Sequence, residues 1–206
     1  MFIELAELLR CPGPHGTSHC VLSSDVALGR RVIRGVVGCP VCKAEYAIQD
    51  GVVEFGVDPV LGSDSRSDDI TTEQMPDPET VQALLALASL GGYVVLVGSM
   101  TRLSGGLADL VGATHHVGVN PPPEVCESSN MSLVRSTQTI PIESSLARGV
   151  VIGREYAREP WLSEGARVLA DGMRLLVADE GVSVAGVERL VAEKGLWVGE
   201  KHAGRV

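Results

Sequence analysis

Short apolar runs alternate with amphipathic stretches through the second half of the chain. "YVVLV" at 93–97 is apolar at every position, the pattern of a strand buried on both faces. The pattern then predicts a helix at about 104–111, a strand at 115–119, an extended segment at about 133–142 and a strand at 149–153. A helix at 161–170, a strand at 173–178, a helix at 184–194 and a strand at 196–200 complete the series. Such alternation predicts an α/β fold, a compact Rossmann-like domain with a mostly parallel sheet. Ahead of it, Asp77 suits a helix N-cap, Pro78 the first helical position and Glu79 the positive helix end. That helix is expected to run through "TVQALLALASL" and stop at Gly91-Gly92.

Residues 1–56 read differently, as short strands and turns punctuated by cysteines. Between the two lies "VDPVLGSDSRSDDITTEQMPDPE", polar, acidic and proline-bearing, the composition of a linker. The expected organisation is therefore a ribbon at 1–56, an acidic linker at 57–79 and a Rossmann-like domain at 80–206.

Charge and composition narrow the function classes. The 17 Lys and Arg against 26 Asp and Glu give a formal charge of −9, which repels phosphate backbones. The arginines of "GRRVIRG" (29–35) suit a solvent-facing strand as well as a nucleic acid, so nucleic-acid binding is disfavoured. The apolar stretch at 81–98 contains Gln82, Ser89 and Gly91-Gly92, and reads as helix, stop and strand rather than a membrane span. "MFIELAELLR" lacks the positive start of an export signal, so a cytoplasmic protein is expected.

The cysteines carry the strongest chemical signal. Cys39-Pro-Val-Cys42 is a knuckle in which both thiolates can face one ion, and Cys11 begins the second turn that a tetrahedral zinc site needs. Three residues compete for the fourth position. His15 is favoured, because Cys11-x3-His15 keeps a knuckle's short spacing; Cys20 comes second and His19 third. Four protein ligands leave no open coordination position, so the expected role of Zn2+ is structural.

Two resemblances follow. "LLRCP" with "GCPVCKAEYAIQDGVVEF" resembles the zinc ribbon of the family that activates tRNA and protein methyltransferases, departing from it at His15 and Ala47. Residues 93–200 resemble, in order, a class I S-adenosylmethionine-dependent methyltransferase: "YVVLVGSMTRLSGGLADLVG", "HHVGVNPPPEV", "TIPIESSLARGVVIG" and "LSEGARVLADGMRLLVAD". The resemblance implies a cofactor site at Gly98, Ser99 and Asn120. It also exposes losses. Met100 and Arg102 stand where the family turn carries glycines, Leu96 replaces an acidic residue, and Asn120 replaces the acid that holds the ribose. "LARG" at 146–149 lacks the family's aspartate. No catalytic residue is assigned, and retained S-adenosylmethionine binding is disfavoured. The leading expectation is a pseudoenzyme, a scaffold that docks a protein partner or a second copy of itself; the alternative is a divergent methyltransferase.

Other groups promise less. His115 and His116 are adjacent on a strand and so face opposite sides, which suits packing better than a metal pair. Cys126 reads as a spare thiol. Tyr156, Arg158 and Trp161 in "REYAREPW" either line a pocket or form an anchored surface loop.

Overall fold

The computed structural model describes residues 1–56, 75–88 and 91–202. The expected linker lies outside the described residues at 57–74. Helix α1 spans Pro78–Leu85, and Asp77 caps it as expected, its carboxylate accepting from the Thr80 amide at 2.7 Å. The helix stops earlier than the glycine pair suggests: Ala86 takes a left-handed conformation (φ 53°) and its amide closes onto the preceding turn.

Among the described residues eleven strands form one sheet. The first four are β1 (Val21–Leu28), β2 (Arg31–Gly38), β3 (Glu45–Gln49) and β4 (Val52–Phe55), an antiparallel meander. The remainder are β5 (Tyr93–Val97), β6 (His115–Val119), β7 (Met131–Ser136), β8 (Ala147–Ile152), β9 (Leu169–Val177), β10 (Val187–Glu193) and β11 (Leu196–Lys201). Their order is β1-β2-β3-β4-β7-β6-β5-β8-β9-β11-β10. From β4 through β9 every pairing is parallel. The order reverses between β5 and β8, the switch point where doubly wound sheets place their ligand crevice.

Three α-helices flank the sheet among the described residues. On one side, α1, α2 (Ser104–Val111) and the 3-10 turn Gly98–Leu103 before it pack Val81, Leu85, Leu103 and Leu107 against Val94, Leu96, Val151 and Leu176. On the other, α3 (Trp161–Val168) joins Trp161, Leu162 and Ala166 to Val95, Val97, Val150 and Ile152. Successive residues of β5 thus divide between the two cores, as a two-sided strand must.

The ribbon belongs to the same sheet. Val53, Glu54 and Phe55 of β4 pair in parallel with Val134, Arg135 and Ser136 of β7. Met1, Leu5 and Leu9 are fully buried in the α3-side core with Ile140 and Ile142. The β6–β7 connection carries no helix, and the amino-terminal segment helps cover the face instead.

One element reverses its expected type. The alternation predicts a helix at 184–194, and Val187, Leu190 and Val191 do repeat at helical spacing. They form β10 instead, closed onto β11 by Lys194 and Gly195. Both turn residues have positive φ (54° and 75°), the geometry of a tight hairpin whose twist matches the strands it joins. The segment expected at 133–142 ends as a strand at Ser136, while β9 begins at Leu169, directly after α3.

His115 and His116 do part to opposite faces. His116 is buried and its Nδ1 lies 2.7 Å from Ser104 Oγ, while His115 Nε2 meets Ser132 Oγ at 3.0 Å. Burial, helped by neighbouring His115, lowers the His116 pKa to about 4. The unfolded chain therefore takes up this proton first as pH falls from about 6.5, and stability drops until about pH 4. Between pH 7.5 and 5 this group should cost about 2 kcal/mol, and the urea midpoint of His116→Gln should fall less steeply than that of the wild type.

Candidate metal cluster and nucleotide cleft

Two tight turns meet at the end of the ribbon. The Cys39 carbonyl accepts from the Lys43 amide at 3.0 Å, and Lys43 adopts a left-handed φ of 63° to close the knuckle. Across from it the segment after Leu9 bends back, the Cys11 amide donating to the Ser18 carbonyl at 3.0 Å. The turns bring Cys11, His15, Cys39 and Cys42 together, with their four ligand atoms all within 4.8 Å of one another.

The distances fit a tetrahedron. The sulfurs of Cys11 and Cys42 are 3.7 Å apart, and His15 Nε2 is 3.3 Å from Cys11 Sγ and 3.4 Å from Cys39 Sγ. Thiolates bound at about 2.3 Å to one tetrahedral ion lie about 3.8 Å apart, and a thiolate and an imidazole about 3.6 Å. The surrounding groups suit a metal as well. His15 Nδ1 donates to the Gly16 carbonyl at 2.7 Å, which fixes the tautomer and aims Nε2 at the sulfurs. Tyr46 Oη and the Gly13 amide both reach Cys11 Sγ, at 3.1 and 3.3 Å. Burial opposes ionisation of Cys39, yet the backbone amides of Cys42 and Val41 and the thiols of Cys11 and Cys42 outweigh it and bring Cys39 down to about 6. Cys20 stands apart from the cluster. Burial, with the neighbouring sulfurs, pushes its thiol up to about 12, and it packs in the core. His19 is turned away, its Nδ1 3.1 Å from the Glu7 carbonyl.

The second place where function was expected is the crevice above β5 and β8. Gly98 has φ +67°, so the chain turns there in the conformation that favours glycine. The space over that turn is filled. A Cβ on Gly98 would lie 2.2 Å from Glu155 Oε1 and 2.6 Å from the Tyr156 ring. Glu155 comes from the short 3-10 turn Arg154–Tyr156 that follows β8. Its carboxylate accepts from the Ser99 amide at 2.5 Å and from Ser99 Oγ at 3.2 Å. Tyr156 in turn packs edge-on against Trp161, ring centroids 4.9 Å apart.

Asn120 is occupied too. At the end of β6 it adopts φ 51°, and its amide clamps the backbone of Ser136, Nδ2 donating to the carbonyl and Oδ1 accepting from the N–H, both at 2.8 Å. Met100 and Arg102, the residues expected to obstruct the turn, do not fill the crevice. Met100 is buried against Val81 and Leu85 on the α1–α2 side, and Arg102 Nε donates to Glu124 at 2.8 Å. The obstruction comes from Glu155 and Tyr156, which only the meeting of β5 with β8 brings over the glycine.

Gly98→Ala should accordingly destabilise the protein by about 1–2 kcal/mol through its left-handed backbone alone, and further through collision with Glu155. In a Glu155→Ala background part of the collision disappears, so denaturant titration of the double-mutant cycle should show clear non-additivity.

No known family profile matches the chain, and no curated protein sequence matches it. Solved structures do. A putative S-adenosylmethionine-dependent methyltransferase from Methanococcus maripaludis aligns at 15% identity and TM-score 0.45, over 63% of this chain and 85% of that one. The antibiotic-resistance methyltransferase Kmr aligns at 16% identity and TM-score 0.43, over 63% of this chain and 95% of that one. A complex between the Haloferax volcanii Trm112 methyltransferase activator and a putative methyltransferase aligns at 15% identity and TM-score 0.37, over 48% of this chain and 54% of that one. The sheet itself, parallel across β7-β6-β5-β8-β9 with its crevice at β5 and β8, is a Rossmann-like doubly wound sheet.

Proposed function

We propose that this chain is a non-catalytic, zinc-holding interaction protein built on a methyltransferase-like sheet that no longer takes S-adenosylmethionine. The observation that carries this reading is the Glu155 carboxylate on the Ser99 amide. An amide at the first turn after β5 would serve a bound nucleotide, and here it serves the protein's own side chain. With Tyr156 over Gly98 and Asn120 engaged by Ser136, each implied cofactor contact has an internal replacement.

Cys11, His15, Cys39 and Cys42 would hold the zinc. Its contribution is a cross-link between two turns of a ribbon too small to fold on its own core, worth about 10–16 kcal/mol at neutral pH. Ribbon and Rossmann half act as one body in this reading, since β4 closes the β7 edge from within the chain. A protein partner or a second copy is then received at the open outer strands, β1 and β10. Thiols without disulfides suit a reducing compartment, and none of the described helices is long and apolar enough to cross a membrane.

Calorimetric titration of S-adenosylmethionine into the metal-loaded protein tests the reading. No heat of binding at millimolar ligand is expected. Micromolar affinity would replace this reading with a divergent methyltransferase in which Glu155 swings away.

A further inference from the structure

The chain has only seven Phe, Tyr and Trp residues, and two of them, with a histidine, gather around one small cavity far from the crevice. The cavity measures about 190 Å3 and is lined by Phe2, Glu4, Leu5, Tyr93 and His115. Tyr93 and His115 open β5 and β6, so the cavity lies at the end of the sheet opposite the Gly98 turn. Phe2, Glu4 and Leu5 are brought over it by the 3-10 turn Ile3–Glu7.

The rings are arranged as walls. Phe2 stands at 72° to His115 with centroids 5.0 Å apart, and Tyr93 at 75° with centroids 5.9 Å apart. His115 is anchored by Ser132 Oγ, which also accepts from the Phe2 amide at 2.9 Å, so one hydroxyl sets two walls. Acidic groups border them. Glu4 lines the cavity, and Glu7 lies close enough to Tyr93 to raise its pKa after burial has done so. The cations in the neighbourhood are matched. Arg30 pairs with Glu4 at the exposed rim, and the Met1 amine and Arg31 pair with buried Glu127.

We infer that this cavity is an aromatic cage for a methylated ammonium group. Ring faces carry partial negative charge and attract a cation without needing a hydrogen bond from it. An N-methylated head group is weakly hydrated, so it leaves water at little cost, and the lining carboxylate, Glu4, is held by Arg30 at the rim. At this size the cavity admits a head group rather than a drug-sized molecule, whose pockets begin at roughly 300 Å3. A free quaternary amine and a methylated lysine side chain share this chemistry.

The test is an NMR titration of the full chain with choline, with its neutral isostere 3,3-dimethylbutanol, and with a short trimethyllysine peptide. Choline or the peptide should bind at least about fivefold more tightly than the isostere, with nuclear Overhauser effects from the N-methyl protons to Phe2 and Tyr93. A preference for the peptide identifies a protein ligand, and equal affinity for both identifies a free amine. Equal binding of the isostere would make this a plain apolar pocket and overturn the inference, as would no binding of either cation. Arg30→Ala, at an exposed site, releases Glu4 and should tighten choline binding about twofold or more; unchanged or weaker binding would remove Glu4 from the cage.

Discussion

Chelation of the metal is expected to unfold the ribbon and take much of the molecule's stability with it. The two tight turns that carry Cys11, His15, Cys39 and Cys42 lie beyond the buried stretch of β3 and β4, and Cys42 at their outer corner is exposed. In the proposed reading zinc would contribute about 10–16 kcal/mol at neutral pH, more than most domains have in total. The loss should propagate, because β4 pairs with β7 and the Leu9–Ile142 bridge ties the entry of the ribbon to the Rossmann half. Elemental analysis should find one zinc per chain. Cys39→Ser and Cys42→Ser should each reduce it to a small fraction, while Cys20→Ser and His19→Ala should keep a full equivalent. Hydrogen exchange after chelation should show protection lost first in β2 and β3. Retention of zinc by Cys39→Ser would contradict the assignment of the site.

The second large effect is expected at Glu127, in the helix-free loop between β6 and β7. Its side chain is 4% exposed, yet it faces two cations: the Met1 amine, and Arg31 Nη2 at 2.5 Å. A Cβ on Gly51 would lie 2.4 Å from its Oε2 and 2.9 Å from the Met1 nitrogen, so the β3–β4 turn seals the group as well. One carboxylate thus joins the amino-terminal segment, β2 and the Rossmann half. Removing it leaves the buried amine with the Val32 carbonyl alone; burial already lowers its pKa, so it can shed its proton, and the loss should be about 1–3 kcal/mol. Glu127→Ala should therefore lower the urea midpoint by more than any exposed substitution, and Glu127→Gln should recover only part. Arg31→Ala, which keeps the amine paired, should cost much less. Equal effects of Glu127→Ala and Arg31→Ala would contradict the role given to the buried amine.

What the sequence shows of this protein divides along the range of the interactions. Cys39-x-x-Cys42 and Cys11-x3-His15 are local spacings set by single turns, so the residues that meet in space can be read from the chain. The all-apolar β5 and the cap of Asp77, Pro78 and Glu79 are legible for the same reason. Residues 187–193 mislead because Val187, Leu190 and Val191 repeat as a helix would, while the deciding signal is the two-residue turn Lys194-Gly195. Glu155 and Glu127 are not legible in the sequence, since each acts on residues far away in the chain. Glu155 had one available clue. A residue just after β8 must face one just after β5 at a topological switch point, and Gly98 leaves room for it. The continuity of the ribbon with the sheet had no such clue, because β4 and β7 are joined only by their register.

The closure of the crevice is read most directly at the Ser99 amide. In a 15N–1H spectrum its resonance should lie far downfield, as a short hydrogen bond to a carboxylate requires. Adding S-adenosylhomocysteine to millimolar concentration should leave the Gly98, Ser99 and Met100 amides unmoved, and Glu155→Ala should shift Ser99 upfield. Saturable shifts of those three amides in the wild-type protein would show the turn receiving the nucleotide, and would contradict the account.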